Sequence, residues 1–214
     1  TFNIDTQNDS YLTCYQTGQS TPLWTKSFSG NFVALNASED GNRVVFCMYG
    51  GTTNKLYVFD GNTGAQIFEA PFQNQNPPGI SYDGKYIVSG DYSGFVYLYE
   101  YNEGISTYVE KWHYKVTGAS SWVWGMNISA DGSTVAVGTL IFLTSDYDGE
   151  LYVFNTYSPV PLWVASGMKD AVVSVDLSAD GSLIAAGGYG PINDSRPDFM
   201  LFRKQSSTPY FSIN

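Results

Sequence analysis

The sequence predicts an all-β fold built from repeated antiparallel sheets, and three observations support this class. The tetrad Ser-x-Asp-Gly occurs four times, at 38–41, 81–84, 129–132 and 178–181, and its Asp residues are 43, 48 and 49 residues apart. Each tetrad is bordered by short runs rich in β-branched residues, which strands favour. No window of eleven residues keeps the three- and four-residue apolar spacing of a helix.

Each tetrad is expected to form the turn of a hairpin between the first and second strands of a repeat. Gly accepts a positive φ, and the Ser and Asp side chains bond nearby backbone amides. First strands are predicted before the tetrads, at 32–36, 122–128 and 172–177. Second strands are predicted after them, at 44–46, 86–88, 135–137 and 183–186.

Two further strands complete each repeat. Aliphatic and aromatic residues alternate in the third strands, so both of their faces are expected to be covered. The third strands are predicted at 56–59, 96–99, 151–154 and 199–202, and the fourth at 66–68, 108–112, 161–164 and 209–211. A partial copy opens the chain, with a stub of a second strand at 2–4, a third strand at 12–15 and a fourth at 22–24.

The repeats resemble known blades in their sequence motifs as well as in their length. A four-stranded repeat of this length fits one propeller blade. Residues 56–64, Leu-Tyr-Val-Phe-Asp-Gly-Asn-Thr-Gly, and a weaker echo at 17–24 resemble the quinoprotein-type repeat, in which a Thr-Gly turn leads to a strand bearing Trp. Residues 178–187 are similar to blades of many propeller families, including the WD-repeat type. The resemblance implies a β-propeller but no particular activity, because this fold hosts many functions.

We therefore predict one β-propeller domain, or a propeller fragment, over residues 1–214. It comprises a partial blade at 1–30 and full blades at 31–76, 77–120, 121–170 and 171–214. Four full blades plus a partial one form either a five-bladed ring or part of a larger ring. Unmatched blade edges are then available for self-association, because an open strand edge is a template for pairing.

Composition limits the partners and the compartment. The chain has 20 acidic and 10 basic residues, a net charge of −10, which argues against nucleic acid because phosphate binding relies on clustered Lys and Arg. No run of apolar residues is long enough for membrane insertion. Few Lys and Arg, many Tyr, Asn, Ser, Thr and Gly, and the absence of an initiator Met are typical of a mature secreted protein. We expect an extracellular location.

Glycosylation and a disulfide are further expectations for a secreted chain. Four sequons could accept glycans, at Asn8, Asn36, Asn127 and Asn193. At Asn36 and Asn127 the Ser belongs to a tetrad, so turn chemistry already explains the triplet. Cys14 and Cys47 lie in neighbouring blades, where they either pair or serve as small buried apolar residues.

Catalytic motifs are scarce, so no enzyme activity, metal or cofactor is expected. His113 is the only histidine, and there is no phosphate-binding Gly-rich loop or nucleophile elbow. Asp146-Tyr-Asp-Gly-Glu150 begins like a calcium loop but lacks the remainder. The quinoprotein resemblance implies a calcium-bound quinone beside adjacent cysteines, whereas Cys14 and Cys47 are far apart.

Loop lengths point to a binding face. The span from the end of the second strand to the third is 9, 6, 13 and 12 residues in the four repeats, so the last two carry insertions. In a propeller, loops 141–148 and 189–198 share a face with segment 118–124. This places seven residues on one rim: Trp122, Trp124, Asp146, Tyr147, Tyr189, Asp194 and Arg196.

Two interpretations of this rim stay open. Aromatic side chains beside carboxylates suit a protein partner or stacked sugar rings. Alternatively, Trp122 and Trp124 line the channel or pack between blades. The leading hypothesis is a non-catalytic extracellular propeller acting as a structural or protein-interaction module. The alternatives are a carbohydrate-binding propeller and a fragment of a quinone- or calcium-dependent oxidoreductase.

Overall fold

The computed structural model describes residues 2–4, 9–49, 54–118 and 120–214. Every regular element within these ranges is a β-strand, which confirms the all-β prediction. The strands form five antiparallel units, here called sheets 1 to 5 in chain order. Sheet 1 has three strands in the order β1-β2-β3, which are β1 (Phe2–Ile4), β2 (Asp9–Tyr15) and β3 (Pro22–Ser29).

Sheets 2 to 5 each contain four strands that pair in chain order, as the repeat predicts. Sheet 2 consists of β4 (Phe32–Ala37), β5 (Arg43–Met48), β6 (Lys55–Asp60) and β7 (Gln66–Pro71). Sheet 3 consists of β8 (Gly79–Ile80), β9 (Tyr86–Gly90), β10 (Phe95–Asn102) and β11 (Thr107–Lys115). Sheet 4 consists of β12 (Ser121–Ile128), β13 (Thr134–Phe142), β14 (Tyr147–Asn155) and β15 (Trp163–Met168). Sheet 5 consists of β16 (Ala171–Leu177), β17 (Leu183–Tyr189), β18 (Phe199–Arg203) and β19 (Phe211–Ile213).

The tetrads form the same turn in all four sheets. In sheet 3, the Ser81 hydroxyl donates to Asp83 at 2.8 Å and accepts a hydrogen bond from the Tyr86 amide at 3.0 Å. Asp83 also accepts from the Lys85 amide, and Gly84 has a φ of 68°. The same bonds recur around Ser38, Ser129 and Ser178. The turn therefore requires Ser, Asp and Gly for separate reasons.

Neighbouring tetrads are joined by backbone hydrogen bonds. The Asp40 amide donates to Tyr82 O at 3.2 Å, the Tyr82 amide donates to Ala130 O at 3.0 Å, and the Asp131 amide donates to Ala179 O at 2.9 Å. The first strands β4, β8, β12 and β16 accordingly lie side by side. The sheets fan out from this line as propeller blades.

Hydrophobic side chains fill the space between successive sheets. Four clusters join sheets 1 and 2, 2 and 3, 3 and 4, and 4 and 5. Among the described residues, no cluster joins sheet 5 to sheet 1. Representative members of the four clusters, in this order, are Trp24 and Phe46, Val58 and Ile87, Leu98 and Val137, and Val153 and Ile184.

Two glycines mark where one blade packs closely on the next. A Cβ at Gly90 would lie 2.3 Å from a Val123 methyl carbon, and a Cβ at Gly138 would lie 2.4 Å from Val172 O. At the corresponding position of sheet 5, a Cβ on Gly187 would approach nothing closer than Ser174, at 3.7 Å. Only the first two glycines are therefore required by a neighbouring strand in the structure.

The possible disulfide between Cys14 and Cys47 is not formed, and both are free thiols. Alternation along β5 explains why. Phe46 and Met48 face sheet 1, whereas Cys47 belongs to the cluster shared with sheet 3. Cys14 packs on the opposite side of sheet 2, where its thiol lies 3.6 Å from Gly61 O. Each cysteine thus serves as a small packing residue.

Candidate functional site

A bulge in β12 determines which side chains reach the rim. Trp122 pairs with Leu140 and Val123 with Thr139, and pairing resumes only at Met126 and Val137. The extra residue allows both Val123 and Met126 to enter the core shared by sheets 3 and 4. A bulge changes the direction in which the side chains of a strand point. Trp122 and Trp124 therefore stay on the face of β12 opposite the core that Val123 and Met126 enter. Their ring centroids lie 5.9 Å apart.

The segment expected as a loop at 141–148 is largely an extension of the β13–β14 hairpin, which corrects that prediction. Ile141 pairs with Asp148 and Phe142 with Tyr147. The turn is closed by a hydrogen bond from the Leu143 amide to Asp146 O at 2.9 Å. The extension places the centroid of the Phe142 ring 4.9 Å from that of Trp122 and 5.6 Å from that of Tyr147.

The extended hairpin forms one wall of an open groove, here called the rim groove. The groove lies where Leu140 pairs with Ala171 and so joins sheets 4 and 5. Its volume is about 290 Å³. Tyr189, at the end of β17, forms another wall and is 71% exposed. The lining residues are Trp122, Trp124, Leu140, Phe142, Tyr147, Asp170, Ala171 and Tyr189.

Arg196 holds the segments around the rim groove together. One of its guanidinium nitrogens lies 2.6 Å from Asp170 Oδ1 and 2.7 Å from Asp194 Oδ2. Its other terminal nitrogen contacts Asp148 Oδ1 and Tyr147 O, each at 3.4 Å. The hydrogen bonds from Arg196 lower the pKa of the Asp194 carboxyl. The loop between β17 and β18 is thereby tied to the hairpin of sheet 4.

Negative charge exceeds positive charge beside the groove. Buried Lys169 pairs with Asp198 at 2.6 Å, and Arg196 is shared by three carboxylates. Partial burial raises the pKa of Asp148, and the charges of Asp146 and Asp170 add to this, although Arg196 and a backbone amide oppose it. Asp146 is exposed in the hairpin turn.

The structure places the seven predicted rim residues near one another in three settings. Trp122, Trp124, Tyr147 and Tyr189 line the groove, and Asp194 and Arg196 belong to the ionic network beside it. Asp146 lies in the adjacent turn. Trp122 also contacts Tyr92, with ring centroids 4.7 Å apart, so the interpretation of Trp122 as a packing residue holds as well.

Sequence reasoning missed four lining residues: Leu140, Phe142, Asp170 and Ala171. Leu140 and Phe142 stand at alternate positions of the apolar run Leu-Ile-Phe-Leu at 140–143, which is a signal for a longer strand. Asp170 and Ala171 fall between two sheets, and no local pattern distinguishes them. Their position depends on how sheet 5 packs on sheet 4.

The sequons have different surroundings. The Asn36 side-chain amide donates to Pro78 O at 3.0 Å, and that of Asn127 donates to Asp176 at 3.0 Å. Asn193 is exposed in the β17–β18 loop. Asn8 lies outside the described residues. Glycosylation therefore remains a prediction, best supported by exposure at Asn193.

His113 is exposed, and its Nδ1 lies 2.7 Å from Glu110. Within the described ranges, no group of three or more His, Cys, Asp or Glu side chains is arranged to hold a metal ion. The same ranges contain no helix with the length and apolar character needed to cross a membrane.

Solved structures confirm the fold. The chain matches a mitotic checkpoint complex structure with a TM-score of 0.67 and 15% identity over 96% of this chain and 60% of that chain. It matches the Kuenenia stuttgartiensis hydrazine synthase with a TM-score of 0.65 and 17% identity over 93% and 52%. It matches the β-propeller domain of Myceliophteria thermophila Cps50 (Swd1) with a TM-score of 0.59 and 12% identity over 85% and 61%.

These matches and the fan of sheets define the chain as a β-propeller protein. The resemblance to propeller blades noted in the sequence is therefore confirmed at the level of the fold. The chain spans between 52% and 61% of the length of these three matched chains. No protein-family model matches the sequence, and neither does any curated protein.

Proposed function

We propose that this propeller is a non-catalytic interaction module whose partner protein binds at the rim groove. The observation that carries the proposal is the groove itself, which gathers five aromatic side chains where sheets 4 and 5 meet. Aromatic residues on rigid elements are frequent centres of protein interfaces. Leu143, Tyr147, Tyr189 and Ile192 on the same two hairpins are exposed, which extends the apolar surface beyond the groove.

The test compares partner recovery by three forms of the chain. The immobilised protein, a Tyr189→Ala variant and a Tyr157→Ala control are exposed to an extract of the source, and bound proteins are quantified by mass spectrometry. Tyr157 is 79% exposed, so the control removes an equally accessible tyrosine away from the groove. We expect recovery of the partner to fall only with Tyr189→Ala. Equal recovery by all three forms would contradict the proposal.

Carbohydrate binding is a second candidate for the same groove, favoured by the neighbouring Trp122 and Trp124 rings. Sugar rings stack on such platforms, with nearby carboxylates accepting hydroxyl hydrogen bonds. A glycan array probed with the protein and with Trp124→Ala tests it. Signal on defined glycans that disappears in the variant supports this candidate, and a silent array removes it.

Self-association is a separate candidate, favoured by the outer face of sheet 5. Register places Phe199 beside Ile213 and Leu201 beside Phe211 on this face, with Phe211 and Ile213 exposed. On the corresponding face of sheet 1, Thr13 pairs with Thr25. We propose a two-fold dimer in which the faces of sheet 5 meet. Light scattering should show a concentration-dependent dimer that Phe211→Ser abolishes; monomers at every concentration would exclude it.

The proposal includes an extracellular location, supported by the composition and by the exposed sequon at Asn193. Fractionation of the source, with glycosidase treatment of the recovered protein, tests both points. Recovery only from the cell interior would contradict this location. The oxidoreductase alternative rests on the quinoprotein resemblance, and a visible absorbance spectrum with metal analysis of the purified protein tests it.

A further inference from the structure

The ionic network leaves the rim groove with unbalanced negative charge. Five carboxylates, from Asp146, Asp148, Asp170, Asp194 and Asp198, lie around two cations, Lys169 and Arg196. Both cations are already engaged by carboxylates at 2.7 Å or less. Neither lines the groove, so a ligand in the groove meets carboxylate rather than guanidinium or ammonium.

Asp170 carries this charge into the groove. Its Oδ1 accepts from Arg196, whereas Oδ2 accepts no hydrogen bond from a described residue. No side-chain polar atom among the described residues is both buried and without a partner. The Asp170 side chain is partly exposed, and the residue lines the groove. A donor on a ligand can reach it.

The aromatic walls of the groove also favour a positively charged ligand. The faces of aromatic rings carry partial negative charge and attract cations, with Trp the strongest. Trp122 and Phe142 stand at 68° to each other, and Phe142 and Tyr147 at 74°, so the rings present both faces and edges. Apolar walls also suit the methylene stem that precedes a Lys or Arg head group.

We propose that the rim groove binds the cationic side chain of a Lys or Arg residue on the partner protein. This inference rests on the proposed interaction function and identifies the chemistry of its anchor. The aromatic walls contact the stem and the head group, and Asp170 Oδ2 accepts a hydrogen bond from the head group. The net charge of −10 would attract a basic partner over longer range and accelerate its association.

The experiment uses small probes with matched neutral isosteres. The arginine pair is Nα-acetyl-arginine amide and Nα-acetyl-citrulline amide. The lysine pair is Nα-acetyl-lysine amide and Nα-acetyl-norleucine amide. Binding is followed by titration of the tryptophan indole N–H signals in NMR spectra. We expect each cation to bind about tenfold more tightly than its neutral partner. Added salt should weaken only the cationic probes.

Two variants at exposed positions assign the effect to the groove, with Tyr157→Ala as control. Tyr189→Ala removes a wall and should reduce the affinity for both cationic probes. Asp146→Asn removes a charge whose side chain accepts no hydrogen bond from a described residue, so it should weaken only the cationic probes, by about twofold. The control should leave all four titrations unchanged.

The outcomes separate this inference from the proposed function. Equal binding of cations and neutral isosteres, sensitive to Tyr189→Ala, overturns the inference while supporting a binding groove. If recovery of a partner depends on Tyr189 but none of the probes binds, the inference is overturned while the proposed function stands. Binding of defined glycans at the groove instead of the cations overturns both the inference and the protein-partner proposal.

Discussion

Arg196 shows how one side chain can fix the shape of a surface. Its guanidinium contacts Asp148, Asp170 and Asp194, which belong to three different segments. Arg suits this position because its planar group donates in several fixed directions, which an ammonium group does not. The groove therefore depends on a residue outside its lining.

Replacement of Arg196 by Ala should loosen the β17–β18 loop and destabilise the protein by about 1–2 kcal/mol, because partly exposed carboxylates lose their shared cation. Hydrogen exchange across 190–198 and urea unfolding measure the two effects. Arg203→Ala is the matched control, since this exposed arginine contacts the Tyr210 ring. An equal loss of stability in both variants would contradict the assigned role.

Asn74 has a comparable role in the interior. Its side chain is fully buried and donates to Gly90 O at 3.2 Å and Val123 O at 2.9 Å. Its Oδ1 accepts from the amides of Gln75 and Asn76. The amide thus links the segment before β8 to sheets 3 and 4.

Asn74→Leu should destabilise the protein by about 2–4 kcal/mol, because the two buried carbonyls and the two partly buried amides that it bonds lose this partner. The exposed Asn62 provides the control, and Asn62→Ala should change stability by less than about 0.5 kcal/mol. The comparison is made by denaturant unfolding. A neutral Asn74→Leu variant would mean that water or other side chains satisfy these groups.

At the scale of the strand, most of the fold was predictable from the sequence. The Ser-x-Asp-Gly turns are local, so their hairpins follow from residues such as Ser81 and Asp83 alone. The hairpin extension to Phe142 and Tyr147 was not predicted, because the ends of strands depend on packing against another sheet, here at Ala171. The groove was half predictable for the same reason: its aromatic residues lie in recognisable insertions, whereas Asp170 reaches it through packing.

The two blade positions at Gly138 and Gly187 give a matched test of this packing. Gly138→Ala should destabilise the protein by about 1–3 kcal/mol, because its Cβ would overlap Val172 in the next sheet. Gly187→Ala should be neutral or stabilising by about 0.5 kcal/mol, since its Cβ meets only ordinary contacts and the unfolded chain loses freedom. Urea unfolding of both variants measures the two changes in stability. Similar losses of stability in both would show that a strand also covers Gly187.

At the scale of the whole molecule, the repeated turns make stability depend on acid pH. The hydrogen bond from Ser178 lowers the pKa of Asp180 to about 2. Burial raises the pKa of Asp40 and Asp131, but the hydrogen bonds from Ser38 and Ser129, together with those from the residues after each Gly and the charges of Arg43 and Lys204, lower both pKa values overall. A carboxyl whose pKa is lowered by folding stabilises the folded state above its unfolded pKa.

The free energy of unfolding should therefore fall as the pH drops from about 4 towards 2, as these carboxylates take up protons. Asp148 contributes in the opposite direction because folding raises its pKa. Denaturant unfolding at a series of pH values measures the slope. Asp180→Asn should flatten it, whereas a slope unchanged in that variant would contradict the assignment.

The arrangement of the cores has a consequence for how the molecule comes apart. Among the described residues, sheets 2, 3 and 4 are each flanked by two clusters, whereas sheets 1 and 5 are each flanked by one. In a linear array of repeats, a unit with a single neighbour opens at a lower free energy than a unit with two. In residues 1–214, unfolding should therefore start at sheets 1 and 5 and advance inward, so the rim groove, which lies where sheet 5 meets sheet 4, should be lost before sheets 2 and 3 come apart.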